Sequence, residues 1–182
     1  TDLIAKHGVV RSWDDVLMPF LVALGERTTE QEAGVEVEHL ATSSIITVLR
    51  QTGDPVEQGR LPALLACAPE EQHSLPLEVL RAALAEQGCP SRNIGARVPV
   101  NALLDAVALL SPATVLIWAH SPEHASLAPL GDLAGHTGAI LLGGAGWLGM
   151  RLPQGARVVS SLSEAVSAVL ELSGRKTDTA VG

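Results

Sequence analysis

The stretch LPALLACAPEEQHSLP, residues 61–76, decides how the fold is inferred from the sequence. Its apolar first half predicts a buried strand over Pro62–Ala68. The polar residues that follow predict a loop carrying Glu71 and His73, and the apolar periodicity of Leu77–Gly88 predicts a helix. A carboxylate and an imidazole therefore come directly after a buried strand.

The same alternation of strand and helix continues to residue 174. The apolar runs are continuous rather than alternating, which is typical of parallel strands covered on both faces. We therefore predict an α/β domain over residues 60–174, with a flavodoxin-like (Rossmann-like) five-stranded parallel sheet. The further predicted strands are Arg92–Val98, Thr114–Ala119, Ala139–Leu142 and Ala156–Ser160, and the further predicted helices are Val100–Leu110, Ala125–Ala134 and Leu162–Ser173.

The first part of the chain has helical periodicity instead. Residues 1–53 predict a small helical-bundle cap, truncated at its N-terminus, which a turn-rich linker separates from the sheet domain. One helix is expected over residues 12–27, kinked at Pro19 and ended by Gly25. Residues 175–182 form a polar tail.

A second cap helix is expected over Val35–Arg50. It has two apolar seams, and one of them contains His39. His39 is therefore expected to face inward, either as a core histidine bonded to a carbonyl or at the contact face of the cap.

Composition limits the class of function. The 182 residues are 47% apolar but only 2% aromatic, so few side chains could stack on nucleic-acid bases. The formal net charge of −8 argues against direct binding to the phosphate backbone of a nucleic acid. Cys67 and Cys89 are too few for a disulfide framework, and no signal peptide or spanning apolar run is present. We expect a cytoplasmic protein without a membrane partner.

Three loops follow strand ends, where doubly wound domains bind ligands: residues 69–76, 120–123 and 143–147. In the first loop, Glu71 could accept one imidazole N–H of His73 and thereby fix a metal-binding tautomer. The alternative is a solvated loop histidine beside an acidic run.

The other loops carry weaker signals. The glycine run at 143–146 matches no nucleotide-binding motif, so it is either a plain turn or a backbone that approaches a bulky ligand. His120 and His124 with Glu123 between them supply too few ligands for zinc, and Ser121-Pro122 is expected to break any helical spacing there. No nucleophile elbow G-x-S-x-G is present.

Two groups of residues together carry a family resemblance. In the sheet domain they are the E-x-H loop of Glu71 and His73 and the pair Gly143–Gly144, which follows AILL. In the cap, the segments SWDDVLMPFLVALGER and GVEVEHLATSSI contain the pair Glu38–His39. Over roughly residues 8–172 the chain resembles the cobalamin-binding effector domains of MerR-type transcriptional regulators, the CarH/LitR light sensors.

The resemblance implies cobalamin as the cofactor, as adenosylcobalamin or another form. It implies that His73 ligates cobalt from below and displaces the cofactor's dimethylbenzimidazole, with Glu71 as its acidic partner. Gly143 and Gly144 would surround the nucleotide tail. The remaining implied cofactor-binding residues are Ser74, Leu75, Pro76, Trp118, His120, Thr28, Glu38 and His39, with His39 also a candidate upper-face ligand of cobalt.

Three positions differ from the family pattern. Pro76 stands where the loop motif has glycine. Trp118 stands where the segment after the third strand has serine, with His120 two residues later. Thr28 stands where the light sensors have a tryptophan. Pro76 and Trp118 could close the pocket for the nucleotide tail, and Thr28 could allow a different upper ligand or none.

The resemblance implies a sensor rather than an enzyme. Its ligand would control self-association, adenosylcobalamin would make it responsive to light, and DNA would be bound only through a separate N-terminal domain absent from this chain. Two alternatives remain open. One is a corrinoid carrier module of a methyltransferase system, and the other is a domain of this fold that no longer binds cobalamin.

Overall fold

The computed structural model describes residues 2–31, 34–56 and 59–174. Five parallel strands form one sheet in the order β2-β1-β3-β4-β5. The strand order reverses between β1 and β3, as in flavodoxin-like domains, and the predicted fold class is confirmed. The strands are β1 (Ala63–Cys67), β2 (Ser91–Asn93), β3 (Thr114–Trp118), β4 (Ala139–Gly143) and β5 (Ala156–Val159). The predicted tail, residues 175–182, lies outside the described residues.

Helices cover both faces of the sheet, and this explains why the strands are apolar throughout. All five residues of β1 are buried, and successive side chains enter different cores. Leu65 packs with the core under α4 (Leu75–Glu86) and α8 (Leu162–Leu172). Leu64 packs with the core on the opposite face, under α5 (Val100–Leu110).

One predicted helix, Ala125–Ala134, is wrong. The chain forms two short helices there, α6 (Pro122–Ala125) and α7 (Leu130–Leu133). Pro129 lies just before α7, and a proline both lacks the N–H that a continuous helix needs and disfavours helical conformation in the residue before it.

The cap is helical, as predicted, but its first helix is longer than expected. The elements are α1 (Asp2–Ser12), a π-helical turn (Trp13–Leu17), α2 (Met18–Gln31) and α3 (Val35–Leu49). Gly25 does not end a helix, and the break lies instead at Gly8, whose φ of 76° interrupts α1. The wider π-helical turn comes just before Pro19, which has no N–H to donate. Among the described residues, no helix is both long and apolar enough to cross a membrane.

The cap rests on α4. Val9 from α1 and Leu49 from α3 are buried in the core under this helix. The Glu86 carboxylate accepts the backbone N–H of Val9 at 2.9 and 3.1 Å. Arg50 at the end of α3 is paired with Glu78 at 2.9 Å. These contacts tie the cap to the sheet domain.

The prediction that His39 faces inward is wrong. His39 is exposed, and so are Val35 and Leu40 in the same half of α3. The C-terminal half, with Leu49 fully buried, is the part that packs on the domain. Helical spacing groups residues on one face, but that face is buried only where a partner lies against it.

Candidate functional site

The loops after β1 and β3 meet at the carboxyl edge of the sheet, where the strand order reverses. The backbone N–H of Ala68 donates to the Trp118 carbonyl at 2.9 Å, which joins the two loops. The N–H of Ala119 donates in turn to the Gly143 carbonyl at 3.0 Å. The three loops expected at this edge from the sequence therefore form one continuous surface.

A single carboxylate organises this surface. Glu71 is fully buried, and its Oε1 accepts the backbone N–H of His73 at 2.9 Å and lies 2.5 Å from Nδ1 of the same residue. Its Oε2 accepts the backbone N–H of His120 at 2.6 Å and lies 3.1 Å from His124 Nδ1. Three histidines from two loops are thus bonded to one side chain.

These bonds keep Glu71 ionised. Burial alone would raise the pKa of this carboxyl, but the hydrogen bonds from His73, His120 and His124 outweigh it and lower the pKa to about 2. An ionised carboxylate can only accept hydrogen bonds, so the Nδ1 atoms of His73 and His124 must both carry protons. A neutral His73 then has its lone pair on Nε2.

The side chain of His73 is accessible to a ligand that approaches from solvent. Its side chain is 64% exposed, although its Nδ1 is tied to a buried carboxylate. The His120 ring lies beside it, with the ring centroids 5.0 Å apart. Within the described residues, no group of three or more His, Cys, Asp or Glu side chains is arranged to hold a metal ion. One imidazole can therefore supply a single ligand to a metal whose other ligands come from elsewhere.

A cavity of about 440 Å³ lies beside this loop, under the cap. Its walls come from the start of α4, from the ends of β3 to β5 and the turn after β4, from the start of α8, and from Trp13, Asp14 and Met18 of the cap. Pro76 and Trp118 lie in the wall and do not fill the cavity. A cavity therefore remains beside these two residues.

The glycine run after β4 is required by the chain itself. A Cβ on Gly144, whose φ is 101°, would lie 2.3 Å from the Ala119 carbonyl oxygen. A Cβ on Gly143 would lie 3.2 Å from Cε3 of Trp118. Both glycines also line the cavity. The glycine run is therefore more than a plain turn. Here the backbone after β4 passes close to the Trp118 indole and to the loop after β3.

The structure brings most of the predicted site residues together. Glu71, His73 and His120 form the hydrogen-bonded cluster, and Pro76, Trp118, Gly143 and Gly144 line the cavity. Ser74 is at the N-cap position of α4 without a side-chain capping bond, and Leu75 is buried in the core. Ser74 and Leu75 therefore belong to the start of α4 and to the core, and neither lines the cavity.

The predicted cap residues are not part of this group. The cavity lining includes neither Glu38 nor His39, and His39 is exposed. The side chain of Thr28 lies outside the described residues.

His124 is the site residue that sequence reasoning missed. Ser121-Pro122 was expected to break helical structure but instead begins α6, with Ser121 as N-cap accepting the His124 N–H at 3.4 Å. Proline is well suited to the first helical position, where its missing N–H has no partner to lose. That helical start directs His124 back to Glu71.

Comparison with known proteins gives one related sequence and several related folds. No family model matches the chain. It is 31% identical over 112 residues to the HTH-type transcriptional repressor CarH of Myxococcus xanthus. That alignment covers 61% of this chain but only 38% of the repressor.

Two solved structures share the fold, cap included. The Methanosarcina barkeri monomethylamine corrinoid protein superposes with a TM-score of 0.60 over 93% of this chain and 86% of that one, at 14% identity. The methanol:cobalamin methyltransferase complex MtaBC from Methanosarcina barkeri gives a TM-score of 0.53 over 96% of this chain and 72% of that one, also at 14% identity. At this identity the likeness shows the fold alone.

Proposed function

We propose that this chain is a cobalamin-binding sensor domain of a transcriptional regulator, with His73 as the lower axial ligand of cobalt. One observation carries the proposal. A buried, ionised Glu71 holds the exposed imidazole of His73 through Nδ1 and leaves Nε2 free to bind a metal. The 31% identity to a transcriptional repressor supports the regulatory role.

The residues present fit this cofactor. A corrin ring supplies four nitrogens to cobalt, so the protein needs to add only one axial ligand, and a single accessible imidazole is what the site offers. A mostly apolar cavity of about 440 Å³, which Pro76 at the end of the same loop helps to line, suits the nucleotide tail. Bound cobalamin would supply a cobalt ion whose upper ligand can be exchanged.

Sensing requires that the ligand prefer one state of the protein over another. In our proposal the preferred state is a self-associated one, and DNA is bound by a separate domain. The exposed half of α3, with Glu38 and His39, then packs against another surface when the ligand binds. With adenosylcobalamin the preference would be removed by light. We propose no catalytic activity for the chain by itself.

A second candidate is a corrinoid carrier module that serves a methyltransferase. The observation that favours it is that both solved structures share the cap as well as the sheet domain, and are named as corrinoid or methyltransferase proteins. The two candidates differ in what the ligand does. The assembly state of a sensor changes when the ligand binds, whereas the assembly state of a carrier is the same with and without the ligand.

Two measurements test the proposal. The protein is mixed with hydroxo-, methyl- or adenosylcobalamin, desalted, and its visible absorption recorded. We expect corrin to be retained with the spectrum of histidine-ligated cobalt. Gel filtration in the dark and after illumination then separates sensor from carrier. No retained corrin would refute both candidates, and retained corrin with a constant elution volume would refute the sensor.

A further inference from the structure

A second cavity, of about 300 Å³, lies where the cap joins the sheet domain, at the edge of the sheet that β2 forms. Every described residue that lines it is polar, and the lining includes Arg50, Asp54, Glu78, Arg81, Ser91 and Arg92. Three guanidinium groups face two carboxylates there, so the described lining has an excess of one positive charge in a chain whose net charge is −8. The local charge therefore favours an anion.

One buried hydroxyl in this lining has no partner. Ser91 is 5% exposed, and its Oγ makes no hydrogen bond among the described residues. A buried polar group without a partner is unfavourable, and in native proteins it calls for a specific explanation. A turn about χ1 is enough to redirect a serine hydroxyl, and an acceptor in the cavity would then satisfy it.

Arg81 already holds an oxyanion at this place. Its guanidinium is buried and is fixed by the Leu49 carbonyl, which accepts from Nη2 at 2.8 Å. Its Nη1 donates to the Asp54 carboxylate at 2.5 Å. The Asp54 side chain is 54% exposed, so water competes for it and the ion pair is weak. A ligand oxyanion can therefore take the place of this carboxylate on Arg81.

Arg50 supplies a second guanidinium from the end of α3. It donates one N–H, from Nη2, to Glu78 at 2.9 Å, and its side chain is 66% exposed. A guanidinium has five N–H donors in a fork that suits phosphate oxygens. Donors from α3, α4 and β2 thus converge on one cavity, an arrangement that suits an anion with oxygens on several sides.

We propose that this cavity binds the phosphate group of a small solute, with Ser91 and Arg81 as buried donors and Arg50 as the outer one. The solute is free phosphate or a phosphate monoester, since the cavity volume is at the lower end of that of small-molecule sites. Phosphate displaces Asp54 from Arg81 and so releases the linker that follows α3. This inference goes beyond the proposed function and does not depend on it.

Titration calorimetry of the full chain with inorganic phosphate, at constant ionic strength, tests the role of Ser91. We expect saturable binding to the wild type and about tenfold weaker binding to Ser91→Ala, because a hydrogen bond to a charged group is worth about that factor. Ser12→Ala is the matched control, since the Ser12 hydroxyl is also buried and unpartnered but does not line this cavity. Its affinity for phosphate should equal that of the wild type.

Asp54→Asn provides a test with the opposite sign. Removing the carboxylate that competes for Arg81 should tighten phosphate binding by up to about fivefold, the worth of an exposed ion pair. Asp15→Asn, which breaks the exposed ion pair with Arg11 in the cap, should leave the affinity unchanged. This pair of variants keeps the proposal falsifiable even where Ser91→Ala fails to fold.

The source of the phosphate group is found by repeating the titration with glycerol 3-phosphate. Tighter binding of the ester than of phosphate would assign the site to monoesters, and the reverse would assign it to the free anion; either result upholds the site. Absence of saturable binding of both to the wild type would overturn the proposal. Equal affinities in Ser91→Ala and Ser12→Ala would overturn it too, and retention of cobalamin would be unaffected by either outcome.

Discussion

In the proposed function the loop after β1 is the lower face and the N-terminal half of α3 the upper face of a corrin site, and the two are built very differently. Around Glu71 the polar groups are bonded: its carboxylate has the contacts described above, and its carbonyl accepts the Arg97 N–H at 2.8 Å. On α3, the Leu40 side chain is 68% exposed and His39 is also exposed to solvent. The lower face is held by buried hydrogen bonds, whereas the side chains of the upper face are largely exposed to solvent.

The lower face also holds an unfavourable backbone. Glu70 and Arg97 have positive φ angles of 63° and 51°, and their side chains form an ion pair with each other. A left-handed conformation at a non-glycine residue costs on the order of 1 kcal/mol. The hydrogen bonds of Glu71 hold both residues in place. The comparison teaches that the buried hydrogen bonds of Glu71 offset local backbone strain in the loop that carries His73.

The largest effect is expected from His73→Ala. Removing the axial ligand should weaken cobalamin binding by about 100-fold and abolish the spectrum of histidine-ligated cobalt. The fold should persist, because the backbone N–H of residue 73 still bonds to Glu71. Absorption titration measures both quantities. His7→Ala, an exposed histidine of α1, is the control, and an unchanged spectrum in His73→Ala would assign the ligand elsewhere.

Glu71→Gln should lower the free energy of unfolding by about 3 kcal/mol at pH 7. This follows because a pKa lowered from 4.5 to about 2 stabilises the folded state by about that amount when the carboxyl is ionised. The stabilisation is complete above pH 5 or so and is lost as the pH falls through the window between these two pKa values. The wild type and the variant should therefore converge in acid.

Urea unfolding from pH 7 to pH 3 measures this convergence. Glu70→Gln is a matched control, since Glu70 is the adjacent residue and its ion pair with Arg97 is exposed. It should cost less than about 1 kcal/mol. A difference between wild type and Glu71→Gln that stays constant with pH would contradict the pKa argument.

His124→Ala should cost about 1.5 kcal/mol, the value of a hydrogen bond to a charged group. His120→Ala should be neutral within about 0.5 kcal/mol, because His120 bonds to Glu71 through its backbone N–H, which alanine retains. Urea unfolding at pH 7 compares the two. Equal losses would mean that the His120 ring, and not only its backbone, supports the site.

The smallest effect is expected on the upper face. His39→Ala should change the free energy of unfolding by less than about 0.5 kcal/mol, as for other exposed positions. Leu49→Ala on the same helix should cost about 2–5 kcal/mol, since Leu49 is fully buried. A shifted cobalt spectrum in His39→Ala would sharpen the comparison, because it would show that the cap closes on the cobalt when the ligand binds.

Much of the fold and part of the site could be predicted because the relevant signals are local. Continuous apolar runs in a strand-helix alternation specify a parallel sheet, and α5 was predicted at its observed bounds. Glu71 and His73 are two residues apart, so their contact depends only on one loop. The resemblance to the family motif also singled out Gly143 and Gly144, which the structure places against Trp118.

The rest depended on contacts between distant residues. His124 reaches Glu71 across 53 positions, and nothing in the spacing of the two residues reports that contact. The packing of Trp118 on Gly143 and Gly144 is likewise a property of neighbouring strands. The sequence left open whether Trp118 closes a pocket, and in the structure its ring lies in the wall of a cavity.

By itself, then, the sequence determined a parallel α/β domain with a helical cap, and an imidazole beside a carboxylate at the carboxyl edge of the sheet. Apolar periodicity and short spacings carry that information, since both act within a few residues. Only the tertiary structure decided that a second histidine shares the carboxylate, that a cavity remains beside Trp118, and that His39 faces outward. Each of these features depends on which surfaces pack against each other, because burial is set by tertiary contacts and not by any one segment of the chain.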